Sequence, residues 1–369
     1  MTARPLRHGY TTGACAAAAA KGAARMLREQ RPLAEIEIVL PLGERATFRL
    51  RGQEFDERSA SCFVVKDAGD DPDVTGGAEI HATVRREPLN RPGAKTMVFV
   101  CGGRGVGKVT KPGLAVPVGE PAINPVPLRM ITEGVREEFP VVCLPQLLTV
   151  TISIPNGEEL ARKTLNARLG IVGGLSILGT TGIVRPISAK AWTDTLDAAL
   201  DVALACGSDT VVLSTGRTSE LAAQEYFGEE RGVRSEGVLR EEAFVMMGDH
   251  VGYALRACVR KGVRRVILAG QFAKLLKIAC GHEQTHVASS ELDLKVLVAW
   301  VSSTPHASRL IPHVRAANTA RQVLEESGND PLLMELVCSR AREAARRLVP
   351  GIEVEVLLAG YAATVLYFG

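Results

Sequence analysis

At 369 residues the chain exceeds the roughly 100 to 200 residues of one comfortable core, so two domains are expected. Apolar residues make up 46% and charged residues 23%, the mixture of a soluble globular protein, which excludes a disordered or fibrous chain. A net charge of +3 from 44 basic and 41 acidic side chains, with 4% aromatics, lacks the positive field and the stacking platform of a nucleic acid partner. The eight cysteines (Cys15, Cys62, Cys101, Cys143, Cys206, Cys258, Cys280, Cys338) are spread with no C-x-x-C pair and read as free thiols of a reducing compartment. No uninterrupted apolar stretch of about 18 residues occurs, so no membrane partner is expected and the chain reads as cytoplasmic.

The first element is an alanine-rich helix over 14–28, whose small side chains permit close packing, with Thr11, Thr12 and Gly13 at its start. Alternating or β-branched runs predict strands at 35–40, 47–50, 62–65, 79–84, 96–100 and 148–154. Glycine and proline break up residues 102–127, which read as a functional loop. Residues 1–164 thus form an N-terminal α+β domain, one helix on a sheet. From 165 to 369 the pattern becomes strand, glycine turn, helix, at 210–214 before Gly216 and at 264–269 before Gly270, which marks a parallel sheet. Such sheets bind ligands at the carboxyl ends of their strands, so a small cofactor is expected near Gly216 and Gly270. The last 19 residues predict a strand pair around Gly360.

Several motifs carry chemistry, each beside a plainer reading. HEQTH at 282–286 matches H-E-x-x-H, which on a helix sets two imidazoles and a glutamate base for zinc hydrolysis; Gly281 disfavours the helix, and the alternative is a polar loop. GGRGVGKV at 102–109 matches G-x-x-x-x-G-K, but Val109 stands where a phosphate loop needs a hydroxyl for magnesium. Gly105, Gly107, Lys108 and Lys111 are candidate anion contacts, against a turn joining two strands. Thr11, Thr12 and Gly13 form an N-cap worth about 1 kcal/mol. With Arg7 and His8 just upstream, that helix end also suits an anion, as in small-molecule kinases. KDAGDDPDVTGG at 66–77 gathers Asp67, Asp70, Asp71 and Asp73, whose repulsion is expected to raise at least one pKa and suit acid–base work, against a solvated acidic turn. Gly170, Gly173, Gly174, Gly179 and Gly182, with Thr180, Thr181 and Arg185, imply a backbone that approaches something closely, though not as G-x-G-x-x-G.

Six blocks, in one order along nearly the whole chain, are RHGYTTGACAAAAAKGA (7–23), IVLPLGE (38–44), KDAGDDPDVTGGAEI (66–80), GRGVGKVTKPGLAVPVGEPAINPVPLRMI (103–131), KTLNARLGIVGGLSILGTTGIVRPIS (163–188) and AGQFAKLLKIACGHEQTH (269–286). Together they resemble the cobalt-precorrin-5B C(1)-methyltransferase (CbiD) family. Gly76 and Gln271 depart from a pattern that often carries histidine there, and Thr285-His286 is the recognisable part of HEQTH. The resemblance implies a mixed α/β and α+β fold. Its N-terminal domain, residues 1–164, would be ribosomal-S5-domain-2-like, a helix on a mostly antiparallel sheet that contacts the corrin. Its C-terminal domain, residues 165–369, would be Rossmann-like and bind S-adenosylmethionine.

The implied reaction is methyl transfer from S-adenosylmethionine to ring carbon C1 of a cobalt-carrying corrin, cobalt-precorrin-5B, in the anaerobic cobalamin pathway, giving cobalt-precorrin-6A, with no metal on the protein. The substrate bears many carboxylates, a need that Arg7, Thr11, Thr12, Gly13, Gly105, Gly107, Lys108, Lys111, Asn124, Arg168, Arg185, Lys274 and Lys277 fit. Gly173, Gly174, Thr180, Thr181, Gly216 and Gly270 are candidates for the methyl donor, and Asp67, Asp71 and His286 for catalysis. The rivals are a small-molecule kinase, an H-E-x-x-H metal hydrolase and a non-catalytic corrinoid carrier. Homo-oligomerisation stays open.

Overall fold

The computed structural model describes residues 6–88, 96–139, 146–186, 188–228 and 238–369; Cys143 lies outside the described residues. The chain divides into two compact units, Met1–Ser188 and Ala189–Gly369. The division falls later than 164/165 because residues 165–188 pair back into the first unit.

The first unit runs β1 (Gly9–Tyr10), α1 (Thr12–Glu29), β2 (Glu35–Val39), β3 (Arg45–Arg49), β4 (Arg51–Phe55), β5 (Ser59–Val65), β6 (Glu79–Pro88), β7 (Met97–Gly102), β8 (Gly105–Val106), β9 (Lys108–Val109), α2 (Pro125–Glu138), β10 (Gln146–Ser153), α3 (Gly157–Ala161), β11 (Ile171–Val172), β12 (Gly174–Leu175) and β13 (Ile183–Val184). The main sheet has the order β4-β5-β6-β10-β7 and is antiparallel except between β10 and β7; β2 and β3 form a separate hairpin. Alternate residues, such as Cys62 and Val64, Ile80 and Ala82, and Val150 and Ile152, are buried with the alanines of α1 in one core. Alanine and glycine let α1 lie close against both β5–β6 and α2. The two helices run parallel: a Cβ on Gly13 would come 2.5 Å from Pro127 Cγ, while further along Lys21 meets Glu137 at 2.7 Å and Arg25 meets Glu138 at 2.7 Å.

The segment read as loop over 102–127 carries two short strands. β8 pairs in parallel with β12, and β9 pairs antiparallel with β11. Val109, Val116, Ala122 and Ile171 form a small core beneath them.

The second unit runs α4 (Ala189–Ala205), β14 (Thr210–Ser214), α5 (Arg217–Phe227), β15 (Phe244–Met246), α6 (Val251–Lys261), β16 (Arg265–Gln271), α7 (Phe272–Ala279), α8 (Leu294–Ser303), α9 (Ile311–Ala316), α10 (Ala320–Glu326), α11 (Pro331–Leu348), β17 (Glu353–Ala359) and β18 (Val365–Phe368). Its sheet has the order β15-β14-β16-β17-β18 and is parallel except for the β17–β18 hairpin around Gly360. Val212, Ile267 and Leu357 face α5, whereas Val211, Leu213, Val266, Leu268 and Val356 face a core shared with α4, α6, α7 and α11. Burial on both faces explains why these strands read as continuous apolar runs. From β14 the chain moves to β15 on one side and then crosses to β16 on the other. The succession therefore reverses between β14 and β16, and ligands of open parallel sheets bind at such a switch point. Among the described residues no helix is long and apolar enough to cross a membrane.

Candidate functional site

At the switch point the strand ends meet as the sequence pattern predicts. The Thr215 N–H donates to the Ala269 carbonyl at 3.0 Å, holding the turn after β14 beside β16. Among the described residues a Cβ on Gly216 would meet nothing within 4 Å, so the backbone at the start of α5 faces space that they leave open. A Cβ on Gly270 would lie 3.3 Å from Thr215 Oγ1, which places Gly216 and Gly270 on neighbouring turns.

The loop after β15 folds over the same end. Met247 and Gly248 N–H groups both donate to the Ser214 carbonyl, at 3.0 and 3.2 Å. Asp249 follows, and its Oδ1 accepts from Lys274 Nζ and, at 2.6 Å, from Thr285 Oγ1. Burial pushes the Asp249 carboxyl up, but hydrogen bonds from Lys274 and Thr285 outweigh it and hold the group below the ordinary carboxylate range. Lys274 also donates to the Thr285 carbonyl at 3.1 Å.

Lys277, expected to meet substrate carboxylates, is instead 6% exposed and donates to the carbonyls of Thr285 and Ser290 at 3.1 and 2.9 Å. Burial, then the charge of Lys274, pushes its ammonium below the usual lysine range. It lies on the buried face of α7 and ties down the loop that carries His286, whose exposed ring accepts from Ala288 N–H at 3.2 Å.

The metal-hydrolase reading of HEQTH is overturned. The segment is not helical: Glu283 pairs with Arg256 at 2.6 Å, Gln284 meets His250 at 2.8 Å, and Gly252 N–H donates to the Glu283 carbonyl at 2.9 Å. Among the described residues there is no group of three or more side chains able to hold a metal ion.

In the first unit, Arg7 grips Asp67 through two hydrogen bonds, at 2.5 and 2.9 Å, and its N–H donates to Asp70 at 2.7 Å. Gly9 and Gly69 let the two backbones cross; a Cβ on Gly9 would fall 2.2 Å from the Ala68 carbonyl carbon. Arg7 and the Gly69 N–H hold Asp67 below the ordinary range. Asp73 behaves likewise: burial pushes it up, but Lys66, whose side chain is 1% exposed and lies 2.7 Å away, and Thr75 outweigh that. The expectation that repulsion raises a pKa in this cluster is thus corrected at both residues, because each carboxylate has a cation of its own. Asp71 is half-buried and is not without a partner.

The TTG helix end is not an open anion site. Thr11 and Thr12 are buried, Thr11 Oγ1 caps the Ala14 N–H at 3.2 Å, and the Gly13 N–H donates to the Leu178 carbonyl at 3.0 Å. Thr12 Oγ1 also accepts from the Leu178 N–H at 3.0 Å. The glycine loop is likewise occupied by backbone. Gly107 N–H donates to Leu175 at 2.8 Å, and a Cβ on Gly105 would fall 1.9 Å from the Ile154 carbonyl oxygen. Gly174 packs on Gly105, whereas Gly173 sits in an open turn with φ +83. Thr180 is exposed, and Thr181 hydrogen-bonds Ile183. Gly173, Gly174, Thr180 and Thr181 therefore belong to the first unit and Gly216 and Gly270 to the second.

Among the remaining expected contacts, Asn124 starts α2, with its N–H on the Ile177 carbonyl at 2.9 Å. Lys108 is exposed on β9; the stem of Lys111 covers Gly170, and neither Lys111 nor Arg168 is without a partner. Arg185 is exposed just past β13, where Val184 pairs with Gly9. There β1, β13 and the β2–β3 hairpin line a shallow cleft of about 180 Å3 that includes His8, Tyr10, Arg45 and Ile183. Asp249, Thr215, Tyr10 and Arg45 are further candidates that the sequence reading did not single out. Asp249 has a detectable signal, a glycine–acid turn directly after an apolar run.

Fold and site together define a two-unit α/β protein whose second unit is a mostly parallel sheet with a switch point between β14 and β16. The CbiD family model matches residues 1–186, and that of the CbiD C-terminal domain matches residues 284–368. A protein of Geobacter metallireducens named cobalt-precorrin-5B C(1)-methyltransferase is 77% identical over the full length of both chains, and one of the same name from Geobacter sulfurreducens matches equally. A third of that name, from a Geobacillus strain, is 44% identical over 95% of this chain and 92% of its own. A crystal structure of a cobalamin biosynthesis protein (CbiD) from Archaeoglobus fulgidus is 29% identical, covers 75% of this chain and 81% of that one, and gives a TM-score of 0.38. The chain belongs to the cobalt-precorrin-5B C(1)-methyltransferase (CbiD) family.

Proposed function

We propose that this protein methylates ring carbon C1 of cobalt-precorrin-5B, the activity for which its full-length, 77% identical relatives are named, and that it takes the methyl group from S-adenosylmethionine. Carbon C1 attacks the sulfonium methyl in line; the C–S bond breaks with its electron pair staying on sulfur, leaving methylated corrin and S-adenosylhomocysteine. Positioning and exclusion of water dominate such a displacement.

The observation that carries our placement of the donor is the convergence of Gly216 and Gly270 at the β14/β16 switch point, with open space at Gly216. The reversal of strand order and the helices on both faces support reading this unit as Rossmann-like. The helix on a mostly antiparallel sheet supports a ribosomal-S5-domain-2-like reading of the first. We assign the corrin's carboxylates to exposed cations of that unit, Arg7, Lys108 and Arg185, with Lys111 and Arg168 beside them. The cleft next to Arg185 is below the roughly 300–1,000 Å3 of drug-sized sites and suits one carboxylate arm of the substrate rather than its ring. Of the acid–base candidates, Asp67 is locked on Arg7 and suits a fixed charge, so any proton transfer falls to Asp71 or His286. The free thiols of Cys15, Cys62, Cys258 and Cys338, all buried, support a cytoplasmic setting.

The kinase reading loses its footing because the N–H groups of Gly13, Ala14 and Gly107 are already spent on protein oxygens. Incubation with methyl-labelled S-adenosylmethionine and cobalt-precorrin-5B should place one labelled methyl on the corrin. No transfer, together with thermal stabilisation by ATP but not by S-adenosylhomocysteine, would reverse the assignment.

A further inference from the structure

We infer that Asp249 reads the ribose of the methyl donor, its Oδ2 accepting a hydrogen bond from a ribose hydroxyl of the adenosyl group. This rests on the donor placement proposed above and names a contact within it. In an open parallel sheet that binds a nucleoside ligand at its switch point, the glycine turn after the first strand lets the ligand approach, and an acidic side chain after the second takes ribose hydroxyls. Here β14 is the first strand, with Gly216 after it, and β15 is the second, with Asp249 three residues past its end.

The loop that holds Asp249 is built rather than incidental. Gly248 adopts φ +59, and the paired N–H bonds from Met247 and Gly248 to the Ser214 carbonyl hold the loop at the end of β14, the strand that Gly216 follows. An ionised carboxylate has about four acceptor sites. Both hydrogen bonds to the Asp249 carboxylate from described residues, from Lys274 Nζ and Thr285 Oγ1, end on Oδ1, and Oδ2 has no hydrogen-bond partner among them. The side chain is only 26% exposed, so this acceptor is both oriented and partly shielded from water.

Charge selects the partner. The carboxylate is already balanced by the Lys274 ammonium, so the free oxygen favours a neutral hydroxyl over the donor's own ammonium. A surface acid would pair with either.

The test is calorimetric titration of the full chain with S-adenosylhomocysteine and with its 2′-deoxy and 3′-deoxy counterparts. Wild-type protein should bind one deoxy analogue about 10- to 100-fold more weakly than the parent, the loss expected for a hydrogen bond to a charged acceptor. In Asp249→Ala that discrimination should collapse while the circular dichroism spectrum is kept; a merely structural defect would weaken all three ligands and keep the ratio. Equal binding of the three ligands by wild type, which needs no variant to fold, overturns the role of Asp249, as does discrimination that survives in Asp249→Ala. Gly216→Trp separates the two levels of the argument: filling the open space there should abolish binding of S-adenosylhomocysteine, and unchanged affinity would refute the donor placement itself.

Discussion

The glycines at 105, 157 and 174 of the first unit and those at 216 and 270 of the second unit are alike as residues, yet they serve opposite ends. Cβ atoms on Gly157 and Gly174 would each fall 2.2 Å from the Gly105 carbonyl oxygen, so these three residues exist to let backbones touch. A Cβ on Gly216 would meet no described atom within 4 Å, and one on Gly270 would meet only side chains, Leu275 and Thr215, at 3.1 to 3.3 Å, close enough that they would have to give slightly. A glycine spent on packing is a fold residue, whereas one facing open space at a strand end leaves room for a ligand. What separates them is the identity of the neighbour, a tertiary fact.

Substitutions should widen this contrast in a graded way. Gly105→Ala forces a Cβ into the Ile154 carbonyl at φ +74 and should cost about 4 kcal/mol or more in chemical denaturation. Wild-type stability in that variant would break the contrast outright. Asp73→Asn leaves Lys66 buried without its counter-charge and should cost about 3 kcal/mol. Because the folded pKa of Asp73 lies below its unfolded value, its contribution is fully present above the ordinary carboxylate range and fades as pH falls through the folded pKa; the gap between wild type and variant should therefore close below about pH 4.

Lys277→Met removes a buried ammonium but frees two carbonyls, so about 1 kcal/mol should be lost. Its effect should appear in thermal unfolding and not in KM for the corrin, whereas Arg185→Ala should raise KM about tenfold without moving Tm. The reverse pattern would restore Lys277 to the substrate's contacts. Gly216→Ala, where nothing is met, should stay within about 0.5 kcal/mol of wild type.

Much of the fold was legible because it follows from periodicity: the alanine run became α1, the alternating runs became strands within a few residues of their expected limits, and the terminal pair became β17–β18. α2 was hidden because Pro125 and Pro127 at its start read as loop, though proline is well tolerated in a first helical turn. The compact units divide after residue 188 rather than 164, which was hidden because β11 and β12 are two residues long, too short to show any period, and pair with β8 and β9 far back in the chain.

The site was legible where local pattern suffices. Strand-then-glycine marked Gly216 and Gly270 as the candidates on which the proposed donor site rests, but Asp249 follows a three-residue strand and escaped notice. The acidic cluster was misjudged because Arg7, the partner of Asp67, lies sixty positions away in sequence. Lys277 was misjudged because its carbonyl partners become neighbours only when the 285–290 loop folds onto α7.

The central claim, that the donor sits at the open strand ends and not among the packed glycines, is tested most directly by hydrogen exchange of the full chain with and without S-adenosylhomocysteine. Protection is predicted at 214–217, 247–250 and 270–274, with 103–109 and 173–182 unchanged. Protection confined to the latter two segments would contradict it.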